Sequence, residues 1–202
     1  MRYIIHALVM VMEYVKAMRF IPAYVAFVLN RHLIDADFEL WKKDHEYEHR
    51  SKIYTFFKFF QTMPEFRTLL YYRLGFDSRL ISWIAPGERT IYIPCESIGE
   101  GFKIEHGHST QINAKKIGKN FTVWHNVTIG VKNQFDNNSR PTIGDNVRIC
   151  AGAVVIGDIN IGNNVTIGAN AVVAKSVPDN CVVAGNPACI IYKCGKRCND
   201  KL

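Results

Sequence analysis

Between Ile143 and Val177 an aliphatic residue returns at every sixth position, and few folds can accommodate such a spacing. Ile143, Ile149, Val155, Ile161, Ile167 and Val173 form this comb, and shorter ones precede it at Ile98 and Ile104 and at Ile117, Val123 and Ile129. A helix repeats near 3.6 residues and a strand alternates at about 2, so neither alone produces a period of six. A parallel β-helix does. Each hexad makes one short strand that turns one aliphatic side chain inward, and three strands close a triangular coil. Units of this kind are stable only when stacked.

The comb divides the chain. Residues 1–90 read as an N-terminal helical region, 91–192 as a β-helix domain and 193–202 as a basic tail without pattern. The expected fold class is therefore α+β, helices followed by a parallel β-helix of about four coils. The first coil uses Ile98 and Ile104 and then slips register. The second takes 117, 123 and 129, the third 143, 149 and 155, and the fourth 161, 167 and 173. The polar run VKNQFDNNSRP (131–141) breaks the hexads and must leave the stack as a loop, and PDNCVVAGNPACII closes the stack. In the helical region, Phe66, Leu69, Leu70 and Leu74 fall on one helical face. Thr62 with Glu65 suggests a capping box, and Gly75 a helix end.

With 48% hydrophobic and 21% charged residues, the 202-residue chain has an ordinary globular composition. A net charge of +7 points to anionic company such as a phosphorylated cofactor, an acidic glycan or a membrane surface. Nucleic acid is set aside, because no reading motif is present and the basic residues are dispersed. The apolar runs YIIHALVMVM and FIPAYVAFVLN are interrupted by Glu13, Lys16 and Arg19 and fall short of the roughly 20 residues that span a bilayer. They read as a packed or oligomer-forming helix, with peripheral membrane contact as the second reading. The six cysteines show no disulfide framework, which suits a reducing cytoplasm. Cys189, Cys194 and Cys198 lack a CxxC pair and a nearby His, so no metal is expected.

Catalysis near neutrality favours histidine. Three of the seven lie in the first two coils: His106, His108 and His125. In the hexad frame Ile104-Glu105-His106 matches Val123-Trp124-His125, so His106 and His125 are expected to stack one coil apart, about 4.8 Å from strand to strand. His45-Glu46-Tyr47-Glu48-His49 fits the HExxH pattern of zinc proteases, but it sits in a charged run without a third ligand and reads as a solvated helix face.

IGEGFKIEHG (98–107), HNVTIG (125–130), RPTIGDN (140–146) and VVAGNPA (182–188) resemble the serine acetyltransferase branch of the hexapeptide-repeat acyltransferases. So does PEFRTLLYYRLG (64–75), the helix before the β-helix. The likeness implies a left-handed β-helix assembled as a homotrimer, with a dimer of trimers as the second reading, and acetyl-CoA in the groove between subunits. It implies His106 as general base and backbone N–H groups for the oxyanion. Gly130, Ala151 and Ala169 would line the pantetheine arm, with Lys175 or Arg140 at the phosphates. Departures from the branch bear on the acceptor. Its orienting Asp is here Ile91, a second active-site His is Arg140, and a Glu eight residues past the base is Ala114. These losses favour a sugar or glycan-precursor hydroxyl, held by His125 and Arg140, over free serine as acceptor. Serine O-acetylation is the alternative, and a γ-carbonic-anhydrase-like site and a trimeric scaffold without catalysis are remoter readings.

Overall fold

The computed structural model describes Ile5, Val15 and residues 17–133 and 138–202. The first apolar run lies outside these residues except for Ile5. Four helices open the described chain: α1 (Ile21–Leu29), α2 (Arg31–Asp44), α3 (Lys52–Thr62) and α4 (Pro64–Leu74). None is long and apolar enough to cross a membrane. Ser51 caps α3, its hydroxyl accepting from the Tyr54 N–H at 3.3 Å. Thr62 does not cap α4. It is the last residue of α3, where its hydroxyl donates to the Lys58 carbonyl at 2.7 Å, and Met63 takes the N-cap without a side-chain bond. Pro64 sits at the first position of α4, where its missing N–H costs nothing. Gly75, at φ 55°, ends that helix as expected, and Phe66, Leu69, Leu70 and Leu74 are its buried stripe.

The β-helix has three faces. Face A carries β1 (Ile91–Tyr92), β3 (Thr110–Ile112), β6 (Thr128–Gly130), β9 (Val154–Ile156) and β12 (Val172–Val173), all parallel. Face B carries β4 (Lys116–Ile117), β7 (Thr142–Ile143) and β10 (Asn160–Ile161), extended by bridges at Ile98 and Val177. Face C carries β2 (Lys103–Ile104), β5 (Thr122–Val123), β8 (Arg148–Ile149), β11 (Thr166–Ile167) and β13 (Cys181–Ala184). The comb residues stack in register, Val123 on Ile149 and Ile149 on Ile167, with Val183 as a further rung. The closing segment thus lengthens the stack beyond the fourth comb. From β13 the chain turns antiparallel into β14 (Cys189–Lys193) and β15 (Lys196–Lys201). The basic tail is accordingly a paired strand, the outer one of a hairpin that follows the last rung.

Corners need residues that tolerate positive φ, and asparagine supplies them. Between faces B and C, Asn120, Asn146, Asn164 and Asn180 have φ of 55°, 56°, 56° and 58°. Each side-chain amide donates to the next asparagine's oxygen at 2.9 Å. The equivalent corner between C and A holds Ser109, Asn126, Gly152 and Asn170, also at positive φ.

Helix α2 docks on the first coil through one face. Asp37, fully buried, accepts from the Phe102 N–H at 2.7 Å; Trp41 Nε1 donates to the Phe102 carbonyl at 3.3 Å; Asp44 pairs with Lys103 at 2.5 Å. Positions i, i+4 and i+7 lie on one side of a helix, so a single strand meets all three. Arg73 of α4 completes the junction, holding both carboxylate oxygens of Asp37 at 2.7 and 3.1 Å and the Ile98 and Gly99 carbonyls at 2.6 Å each. Burial pushes the Asp37 carboxyl up, and the Arg73 guanidinium works against that rise. Removing one partner of such a pair strands the other charge without water. Asp37→Ala is expected to lose about 3–5 kcal/mol in urea unfolding. An unchanged midpoint would mean that apolar contact alone docks the helices.

Candidate active site

The return from face C to face A is two residues longer in the first coil than in later ones: 105–111 against 124–128, 150–154 and 168–172. His106 and Gly107 are the insertion. His106 adopts φ 48°, and its carbonyl accepts from the His108 N–H at 2.8 Å, closing a tight bulge. Gly107 is buried beneath it. A Cβ there would lie 2.1 Å from Ile104 Cγ2 and 2.8 Å from Ile91 Cδ1. Ile91, in place of an orienting carboxylate, is therefore one wall of the seat on which the bulge rests. The His106 ring is left exposed.

This insertion corrects the expected pairing. Beyond Glu105 the hexads of the first two coils fall out of step, and His108 rather than His106 becomes the counterpart of His125. The Asn126 N–H donates to the His108 carbonyl at 3.0 Å, and the His108 and His125 rings stack at 4.9 Å with 13° between their planes. Counting hexads could not find His108, because the extra pair is visible only as a comb that resumes late.

His106 lies at the edge of a cavity of about 270 Å³ between the helices and the first coil. Trp41, His45, Glu65 and Glu105 also line it. Because α2 stops at Asp44, His45 to His49 form a turn and not the expected solvated helix face. The His45 ring stacks on Trp41 at 5.6 Å, with Nδ1 at 2.9 Å from the Trp41 carbonyl. Glu105 pairs with buried Lys103, which also holds Asp44. Sequence reasoning had no way to join His45 to His106, since only the docking of α2 brings them to one cavity.

Two side-chain columns run along the corner between faces C and A. One reads Glu105, Trp124, Cys150 and Gly168; the other His108, His125, Ala151 and Ala169. Both begin bulky and polar and end small, leaving a slot along the later coils. Ala151 is half-buried and Ala169 exposed. The remaining expected residues stand across face A. Gly130 ends β6, Arg140 precedes β7, and Lys175 follows β12, all at the corner between faces A and B. Arg140 Nη1 lies 3.5 Å from Asn113 Oδ1, and Lys175 Nζ donates to the Leu202 carbonyl at 2.5 Å. The chain thus groups His125 with Ala151 and Ala169 on one edge, and Gly130, Arg140 and Lys175 on the other. Among the described residues no cluster of three or more His, Cys, Asp or Glu is placed to hold a metal ion.

Residues 140–175 match the model of the bacterial transferase hexapeptide, six repeats. These repeats are similar to those of hexapeptide-repeat transferases, and the fold, helices followed by a left-handed parallel β-helix, is shared with the solved structures below. Several similar proteins are named serine acetyltransferase. A serine acetyltransferase of Bacillus pumilus is 37% identical over 132 residues, 64% of this chain and 61% of that protein. The crystal structure of Neisseria gonorrhoeae serine acetyltransferase superposes with a TM-score of 0.61 at 24% identity, over 84% of this chain and 69% of that one. The Brucella abortus serine acetyltransferase in complex with coenzyme A gives 0.57 at 22% identity, over 84% and 71%. The chain spans 43–61% of the length of the curated relatives it matches. These relatives overturn the expectation of a sugar or glycan acceptor. That expectation rested on substitutions at three positions, Ile91, Ala114 and Arg140, and took no account of groups that the helices bring to His106.

Gly107 tests the seat of the bulge. With Ile104 and Ile91 on either side, Gly107→Ala is expected to cost about 1–3 kcal/mol in urea unfolding, and a midpoint equal to wild type would show that the bulge is not held this way.

Proposed function

We propose that this chain transfers the acetyl group of acetyl-CoA to the hydroxyl of L-serine, with His106 as general base. The observation that carries the reading is the cavity beside His106. It is small, flanked by α2 and the start of α4, and lined by Glu65, whose carboxylate suits the ammonium group of an amino acid. Relatives named serine acetyltransferase supply the acceptor. In this reading Ile91 has become a packing residue, and recognition of the acceptor's charge has moved to the helical side of the site.

His106 takes the proton from the serine hydroxyl as the oxygen attacks the thioester carbonyl. The tetrahedral intermediate collapses by breaking the C–S bond, and the departing sulfur receives the proton from His106. Acetyl-CoA serves as co-substrate, its slender arm lying along Ala151 and Ala169, where small side chains allow close approach.

The two-edge arrangement favours a homotrimer. One extended ligand cannot follow Ala151 and Ala169 along one edge of face A and also meet Gly130 and Lys175 on the other edge of the same chain. A groove between two copies removes the conflict, with one copy presenting the alanine edge and its neighbour the edge carrying Gly130, Arg140 and Lys175. The cationic groups then face the anionic cofactor across the groove.

Purified protein should release free CoA from acetyl-CoA on addition of L-serine, and form O-acetylserine in equal amount. His106→Ala is expected to lower turnover about 10²–10⁴-fold. Release that does not respond to serine would sink the acceptor assignment, and full turnover in the variant would sink the base.

A further inference from the structure

Among the described residues two side-chain atoms are buried without a hydrogen-bond partner, Nδ1 of His125 and Nε of Arg140. The first has a consequence for the reaction, and it rests on the acetyl-transfer reading. A neutral imidazole carries its proton on one nitrogen and a lone pair on the other. A proton on buried Nδ1 would be a donor with nothing to receive it, and orphaned donors are tolerated less than orphaned acceptors. The proton therefore belongs on Nε2, the nitrogen on the less buried side of the half-buried ring.

We infer that the Nε2–H of His125 donates a hydrogen bond to the thioester carbonyl oxygen of acetyl-CoA and stabilises the oxyanion that forms there. Three features place it. His125 directly precedes Ala151 and Ala169 in its column, so a slender ligand lying along those alanines meets the imidazole at its end. The bulge bearing His106 belongs to the same corner, one coil earlier. The ring plane is set by His108, stacked on it at 4.9 Å.

His108 is in turn held through its backbone. Its carbonyl accepts from the Asn126 N–H at 3.0 Å and from the Thr110 hydroxyl at 3.2 Å. The adjoining Ser109 N–H donates to Thr90 Oγ1 at 2.9 Å, and that hydroxyl donates to Glu88 at 2.7 Å. His108 is thus a positioning residue for His125. In the reaction His125 moves no proton. The serine oxygen bonds to the carbonyl carbon, the C–S bond breaks, and the hydroxyl proton passes by way of His106 to sulfur. A donor aimed at an oxyanion needs only an N–H in place, and removal of one such donor commonly costs 10²–10³-fold in kcat.

The test uses the full chain and acetyl-CoA labelled with ¹³C at the carbonyl. Bound to wild type, the C=O stretch should fall to lower frequency than in free acetyl-CoA. His125→Ala should return it towards the free value and lower kcat about 10²–10³-fold. His125→Gln keeps an N–H at similar reach, so it should retain the shift and stay within about tenfold of wild-type kcat. Both variants should bind CoA, which lacks the carbonyl, as wild type does; His108→Ala should broaden or weaken the shift. An unshifted wild-type band, wild-type turnover in His125→Ala, or equal loss in the Gln and Ala variants would each overturn the inference. Should the Ala variant fail to fold, the wild-type and Gln spectra decide. A shifted band in a protein that ignores serine would fault the acceptor and leave this donor standing. Brisk acetylation of serine with an unshifted band would do the reverse.

Discussion

Asp37 has no exposure to water, and the relation between the helices and the β-helix passes through it. Its two oxygens bind Arg73 of α4 and the backbone of Phe102, while Arg73 reaches on to the first coil at Ile98 and Gly99. A carboxylate buried in this way is tolerable only when paired and hydrogen-bonded, so the geometry of all four groups is interdependent. Trp41 and Asp44 on the same side of α2 add two further attachments to the same strand. The cavity at His106 lies along this junction. The clamp that docks the helices is therefore also what sets a cavity beside an exposed histidine.

Beyond that junction the site depends on two irregularities in an otherwise regular stack. The first is the inserted His106-Gly107 pair, which lifts one histidine out of the repeat and shifts His108 into register with His125. The second is the taper along the corner from His108 and His125 to Ala151 and Ala169. A solenoid has no interior for a ligand, because its aliphatic residues fill it. Function has to be built on the outside, from a bulge and a change in side-chain size.

Three substitutions invited a reading of the acceptor that the relatives do not bear out. Ile91, Ala114 and Arg140 suggested that the means of holding serine had been lost. Ile91 instead packs under Gly107, Ala114 is buried, and Arg140 stands across face A beside Asn113. Carboxylates reach the neighbourhood of His106 from α4 and from β2's end, in Glu65 and Glu105. Charge complementarity can be rebuilt from another element, because recognition depends on where a group lies in space.

The period of six determined the β-helix, since every comb residue faces inward in a register that only parallel coils provide. The buried stripe of α4 and the helix end at Gly75 were legible for similar reasons, each depending on neighbours in sequence. The four-coil estimate missed Val183, and the tail showed no pattern, because an antiparallel cap has a period of its own. Tertiary structure alone decided which histidines pair, since two inserted residues reset the register without changing the identity of any comb residue. It also decided that His45, Glu65 and His106 share a cavity. Those residues are far apart in sequence and meet only because a buried carboxylate on α2 finds its partners on α4 and the first coil.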